Sequence, residues 1–349
     1  VSKNLVLAIL HVPEKRKKAI EEFEKLIEND KDPKNEAFLL EVYLQNDPDS
    51  ALRKSNKFIN HRYPGKQITD IPDPILSALA IILTVSKEYN QAEVVLEELE
   101  SRRPDPLIYM LRARINFEQG NKDDALTLVD QAWQMAANKG DEISKADIIN
   151  VCYSLKDWQR VIKFSEEMGV NEYSLESILE KYVMAMLRFD ELKYEEQILN
   201  VCSDYEKVRG NSIVLTEVSI SIYENRGDFQ KAFTLWEKLV DQEPDEHKYQ
   251  IGLARCVWRL TYKKENVLEI VEKIPRGKVT DPVLLMQLAS IYTQCGEYEI
   301  ALEMAYEGWR RGRPKYQINL QYIALFFEIS QRTKLDLDCQ FIQEGTAVT

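Results

Sequence analysis

The sequence predicts an all-α fold: an α-solenoid of about nine stacked helical hairpins, closed by an apolar C-terminal helix. Three observations carry this. First, a mark recurs in the second helix of each unit, at Ala19, Ala51, Ala92, Ala125, Val161, Gln197, Ala232, Asn266 and Ala301. The gaps are 32, 41, 33, 36, 36, 35, 34 and 35 residues. A period near 34 with two helices per period marks a stack of hairpins rather than a single-core globule. Second, Gly120, Gly227 and Gly296 fall between the two helices of their units, where a positive φ is needed. Third, Asp-Pro pairs open helices, with Asp as cap and Pro at the first helical position.

The elements follow in order. Residues 1–72 form weaker units, although Asp32-Pro33 and Asp47-Pro48 both start helices. The 41-residue gap leaves extra residues around Pro64 to Pro72, which read as a loop. Asp73-Pro74 and Asp105-Pro106 open the next two first helices. The unit from Pro106 to Ala137 carries Tyr109, Ala113, Gly120, Ala125 and Ala132. The unit at 178–210 lacks a turn Gly and reads as weak. Ile213 to Pro244 is regular again, with Tyr223, Gly227, Ala232 and Trp236. In the clearest unit, Asp281 to Arg313, Leu285, Leu288, Ala289 and Tyr292 share one helix face. Pro64, Pro104, Pro244, Pro275 and Pro314 stop second helices or prevent their continuation.

These residues resemble the tetratricopeptide repeat, over nearly the whole chain. The resemblance implies a right-handed superhelix whose concave face is built by first helices and takes up a protein segment. In this pattern Ala80, Ala113, Ala185, Ala254 and Ala289 let paired helices approach closely, and Tyr223 and Tyr292 fill the wedge between them. Val161, Gln197 and Asn266 depart from the small second-helix residue, which predicts looser or differently angled pairing. One branch of the family binds chaperone tails through Lys and Asn on first helices. Met110, Ala146 and Tyr182 hold those places here, so that chemistry is not expected.

Composition sets limits on function. The chain has 349 residues, 44% hydrophobic and 30% charged, with a net charge of −12. The charge is +1 over 1–72, −13 over 73–243 and zero over 244–349. An acidic middle disfavours phosphate backbones and suits a basic or mixed-charge protein partner. Five cysteines without CxxC spacing read as reduced, buried thiols of a cytoplasmic protein. No apolar run reaches the roughly 20 residues of a membrane helix; Leu5 to Leu10 is too short for a signal core. The chain starts without Met and reads as one module of a longer protein.

No catalytic constellation is visible. His11, His61 and His247 stand far apart, and no nucleotide loop or nucleophile elbow occurs. The chain is read as a non-enzyme that takes no cofactor and no metal. Arg310-Arg311-Gly312-Arg313-Pro314-Lys315 resembles an AT-hook core, but also fits the end of one helix and the start of the next.

The leading function is a protein-interaction scaffold. Its expected groove residues are Arg114, Phe117, Asn150, Tyr153, Tyr182, Met186, Phe189, Arg255, Trp258 and Arg259, flanked by Glu217, Ser221 and Lys248. Aromatic and Arg side chains are common interface anchors. Two alternatives stand beside it. One is a regulatory module of a nucleic-acid-associated protein, using Arg310 to Lys315 and the Lys248, Arg255, Arg259 patch. The other is a self-associating architectural module. Its basis is the helix from Lys315 to about Gln331, apolar most of the way round, with Tyr322, Phe326 and Phe327 as homodimer contacts. The solenoid is taken as continuous over 1–331. Residues 332–349, with Phe341 to Thr349 alternating like a strand, read as an extension into a further domain.

Overall fold

The computed structural model describes residues 13–30, 32–312 and 316–333. Residues 1–12, where the first helix of the first hairpin was expected, lie outside that range, as do Cys339, Arg313 to Lys315 and the 334–349 extension. The described residues are helical and contain no strand. They divide into two compact units, described separately: 13–170 with 177–189, and 171–176 with 190–333.

The N-terminal unit begins with α1 (Pro13–Asn29), a second helix by its place in the repeat. Hairpins follow: α2 (Pro33–Asn46) with α3 (Pro48–Arg62), α4 (Asp73–Val85) with α5 (Tyr89–Arg102), α6 (Pro106–Glu118) with α7 (Lys122–Lys139), and α8 (Glu142–Ser154) with α9 (Trp158–Met168). First helices pack on first helices, α2 on α4, α4 on α6 and α6 on α8. A long helix, α10 (Glu176–Arg209), is broken at Asp190, whose φ of −163° and ψ of 90° are not helical. Asp190 accepts the Lys193 N–H at 3.1 Å, so it caps a new helix without any glycine. The C-terminal unit continues with α11 (Ile213–Arg226), α12 (Phe229–Gln242), α13 (His247–Thr261), α14 (Lys264–Val271), α15 (Pro282–Cys295), α16 (Tyr298–Gly312) and α17 (Tyr316–Thr333).

One turn closes most hairpins. Lys87, Gly120, Lys156, Gly227, Tyr262 and Gly296 adopt φ of 63°, 89°, 58°, 76°, 52° and 82°. Each lies five residues before a second-helix residue with no exposed surface: Ala92, Ala125, Val161, Ala232, Val267 and Ala301. The N–H after the left-handed residue reaches back to the first helix. Examples are Asp157 to the Cys152 carbonyl at 3.0 Å, Asp228 to Tyr223 at 2.8 Å and Glu297 to Tyr292 at 2.9 Å. The same residue then caps the second helix. Asp157 accepts the Arg160 N–H at 3.2 Å and Asp228 accepts the Lys231 N–H at 3.3 Å. At Asp157 and Asp228, one two-residue link therefore satisfies the end of one helix and the start of the next.

This geometry corrects the sequence phase in two units. Gln197 and Asn266 are exposed, whereas Ile198 and Val267 are fully buried. The repeat mark there sits one residue later and is a branched apolar side chain, not a polar substitute. The turn also shows why Gly was missing elsewhere: Lys87, Lys156 and Tyr262 take the left-handed conformation themselves. The expected close-approach alanines Ala80, Ala113, Ala185, Ala254 and Ala289 all have no exposed surface.

Helix starts follow the sequence at Asp32, Asp105 and Asp281, whose carboxylates accept N–H groups of Lys34, Leu107 and Val283 at 2.9, 3.1 and 2.8 Å. Asp73 differs, because it is the first residue of α4 and its carboxylate meets Arg102 at 2.7 Å. Arg102 also donates to the carbonyls of Ile71 at 2.8 Å and Ile68 at 3.1 Å. That guanidinium fixes the 64–72 loop, for which the sequence offered no role.

A buried charge closes the N-terminal hairpins. Glu36 is 1% exposed and accepts Arg62 Nε at 2.6 Å, with a second, very short bond from the Tyr63 hydroxyl. Arg62 also reaches the carbonyls of Glu28, in the last turn of α1, and Asp30, just past its end. Two other contacts leave no room for a side chain. A Cβ at Gly252 would lie 2.5 Å from the Trp236 ring, and one at Gly308 would strike the Tyr322 hydroxyl. Tyr322 in turn donates to the Pro282 carbonyl.

The C-terminal helix departs from the sequence expectation. Tyr322 and Phe326 are buried, together with Leu325 and Ile329, because α17 packs on α15 and α16. They are core residues of the unit rather than free dimer contacts, and of the three only Phe327 is exposed, at 63%.

Three stability outcomes are expected, each read from chemical denaturation midpoints. Lys156→Gly relieves about 1–2 kcal/mol of left-handed strain against a smaller unfolded-chain cost, so it stabilises. Gly252→Ala and Gly308→Ala each lose about 1–3 kcal/mol through overpacking. Arg62→Met leaves the Glu36 carboxylate buried and unpaired at a cost of about 3–5 kcal/mol, which Glu36→Leu in the same chain largely restores.

Candidate protein-interaction face

A helix in a stack has a face turned to its own hairpin, faces turned to neighbours, and one face left over. On the first helices of the N-terminal unit, that remaining face carries a repeated pair. Arg114 and Phe117 are one turn apart on α6, and Asn150 and Tyr153 are one turn apart on α8. Both rings sit three residues before the left-handed turn of their own hairpin, Gly120 and Lys156. They are therefore at the same height on helices that pack side by side. Met186 and Phe189 occupy the corresponding place on the first part of α10, with Phe189 four residues after Ala185 as Phe117 is after Ala113.

Exposure separates these residues. Arg114 is exposed, Phe117, Asn150 and Tyr153 are half-buried, and Phe189 is 45% exposed. Arg114 has no ion-pair partner among the described residues. Tyr153 is held edge-on to Trp158 of α9, with centroids 5.3 Å apart. Trp158 is a residue that the period alone did not single out. Asp147, one turn before Asn150, is exposed on the same helix. Partial burial pushes its carboxyl above the usual range, against the pull of the Asn150 amide.

Two sequence-predicted groove residues are not on a free surface. Tyr182 is 4% exposed and Met186 has no exposed surface. The Tyr182 hydroxyl meets Glu166 of α9 at 3.4 Å, so this ring joins neighbouring helices. In the free chain both are packing residues.

The C-terminal unit presents a different face. Lys248 on α13 pairs with Glu217 on α11 at 2.5 Å, and Arg255 pairs with Glu224 at 2.8 Å. Both pairs span 31 residues and form two rungs between successive first helices. Glu224 also accepts the Trp236 Nε1–H at 2.9 Å. The basic stretch expected around Trp258 is thus largely neutralised from within. The sequence missed Glu224 as its counter-charge; the shared 31-residue offset was the available signal. Trp258 is half-buried beside Tyr262, centroids 6.1 Å apart, while Arg259 is exposed with no ion-pair partner among the described residues.

The described part of the AT-hook-like stretch is partly neutralised in the same way, two guanidinium groups sharing one carboxylate. Arg310 and Arg311 both pair with Glu307, at 2.8 and 2.5 Å, and their bonds hold the Glu307 carboxyl below its usual range. Four thiols are buried and free, Cys152, Cys202, Cys256 and Cys295. Burial pushes Cys152 and Cys256 up to about 12, and Cys202 and Cys295 up to about 11. Among the described residues, no group of three or more His, Cys, Asp or Glu could hold a metal ion. No helix among them is long and apolar enough to cross a membrane.

No family model matches the chain, and no curated protein matches it. Solved structures do. A tetratricopeptide repeat protein from Parabacteroides merdae is 14% identical, covers 88% of this chain and 99% of its own, and superposes with a TM-score of 0.43. Yeast Tom70 is 13% identical over 90% of this chain and 68% of its own, with a TM-score of 0.49. The Cut9–Hcn1 hetero-tetramer of the APC/C gives 11% identity, 94% and 76% coverage and a TM-score of 0.36. In its hairpin length and its buried second-helix mark, the chain resembles a tetratricopeptide-like helical repeat.

The raised thiol values have a direct readout. At pH 8 the four described thiols are expected to react with a disulfide reagent far more slowly in the native chain than after unfolding. Immediate native reaction would show that the burial is wrong.

Proposed function

We propose that this chain is a non-catalytic protein-interaction module. A partner segment of basic or mixed charge docks along the first helices of the N-terminal unit, over Phe117, Tyr153 and Phe189. Arg114 and Asn150 supply polar contacts one turn away. One observation carries this reading. Aromatic rings recur at a 36-residue spacing on three successive first helices and keep part of their surface in water. The corresponding surface of the other unit is closed by its own ion pairs, so the N-terminal unit is the docking side.

The nucleic-acid alternative is weaker. Lys248, Arg255, Arg310 and Arg311 all hold carboxylate partners, which a phosphate would have to displace. Counterion release depends on cations left free to neutralise phosphates.

Affinity capture from nuclease-treated lysate tests the proposal. Phe117→Ala with Tyr153→Ala and Phe189→Ala removes rings worth about 1.5–3 kcal/mol each when fully buried. Specific capture is expected to fall at least tenfold in a chain of unchanged helicity, while Trp258→Ala retains it. Capture that survives the triple variant contradicts the proposal. So does capture that falls about a thousandfold between 50 and 200 mM salt, which is phosphate behaviour.

A further inference from the structure

The spacing and chemistry of the ring row specify the partner more closely; this rests on the docking face just proposed. Phe117, Tyr153 and Phe189 recur every 36 residues, and the helices that carry the first two pack side by side. Packed helix axes lie about 8–10 Å apart, which sets the distance from one ring to the next. A polyproline II strand advances about 3.1 Å per residue with three residues per turn, so every third residue recurs after about 9 Å. A β-strand presents one face every second residue, about 6.6 Å, and does not fit that step.

An α-helix lying across the row could place residues i and i+7 about 10 Å apart. It would also need a broad apolar floor for its i+3 and i+4 positions. The floor here is one ring wide at Phe117 and is widened at Tyr153 only by the edge-packed Trp158. Arg114 and Glu118 flank Phe117, and Asp147, Asn150 and Ser154 flank Tyr153, all polar. A polyproline II strand suits such a surface. Its backbone makes no internal hydrogen bonds, so its carbonyls need donors from the partner. The Arg114 guanidinium and the Tyr153 hydroxyl stand on the row as such donors.

Charge fixes the residues between the prolines. Residues 73–170 hold 11 Lys or Arg against 17 Asp or Glu. Glu118 and Asp147 are exposed beside the rings, and Glu118 meets only the well-exposed Lys87 at 3.7 Å. That environment attracts cations and repels carboxylates.

We propose that the occupant of this face is a proline-rich, basic segment of a partner protein. It lies in polyproline II conformation, with one proline over each ring and Lys or Arg between.

Synthetic peptides test this on the full chain by isothermal titration: four Pro-Pro-Lys triplets, four Gly-Ser-Lys triplets and four Pro-Pro-Glu triplets. The Pro-Pro-Lys peptide is expected to bind at least tenfold more tightly than either other peptide. Phe117→Ala with Tyr153→Ala should remove that advantage in a chain of unchanged helicity at the assay temperature, and Arg114→Gln should weaken it severalfold. Equal affinity for Pro-Pro-Lys and Gly-Ser-Lys overturns the proposal, since charge alone would then explain binding. Tighter binding by an amphipathic helical peptide with apolar residues at i and i+7 overturns it as well. If the proline peptides fail while lysate capture still depends on the rings, the docking face stands and the polyproline assignment falls.

Discussion

The structure depends on one constraint: two helices must reverse direction across two residues and still bury a fixed side chain between them. A left-handed residue ends the first helix, and the next residue opens the second, with a capping carboxylate at Asp157 and Asp228. Five residues beyond the left-handed position, a side chain with no exposed surface meets the first helix. With the turn fixed, the phase of both helices is fixed, and so is the face each turns to its neighbour. Glycine is the least strained way to meet that demand, but Lys87, Lys156 and Tyr262 meet it too. Tertiary packing holds those residues in place, since local preference would not.

The fold class was legible because it rests on period, and period survives substitution. The hairpins, most helix starts and the close-approach alanines follow the chain as read. Exact phase was less legible, because a single-residue slip in a weak unit leaves the period nearly unchanged. Gln197 and Asn266 fit the gaps well, yet Ile198 and Val267 are the buried residues. At Asp190 the break is made by a capping carboxylate, a signal that looks like an ordinary helix-face acid in a sequence.

The candidate face was legible in part for a related reason. Helical register places residues on one side of a helix but does not say what covers that side. Arg114, Phe117, Asn150, Tyr153 and Phe189 keep exposed or half-exposed surface, while Met186, in register with Arg114 and Asn150, and Tyr182, one turn before it, are covered. Charges behave alike. Lys248 and Arg255 form a basic stretch in one dimension, and only the fold brings Glu217 and Glu224 against them. The apolar C-terminal helix is the same case, for Tyr322 and Phe326 are consumed by their own unit.

One division of labour is central to the proposed function: the N-terminal unit would bind through its first helices, while two first helices of the C-terminal unit are joined by their own ion pairs. Hydrogen–deuterium exchange, with and without a captured partner, tests it most directly. Protection confined to residues 106–118, 142–154 and 177–189 is the result predicted. Protection centred instead on residues 213–226 and 247–261 would contradict it, because the partner would then have displaced the Glu217–Lys248 and Glu224–Arg255 pairs.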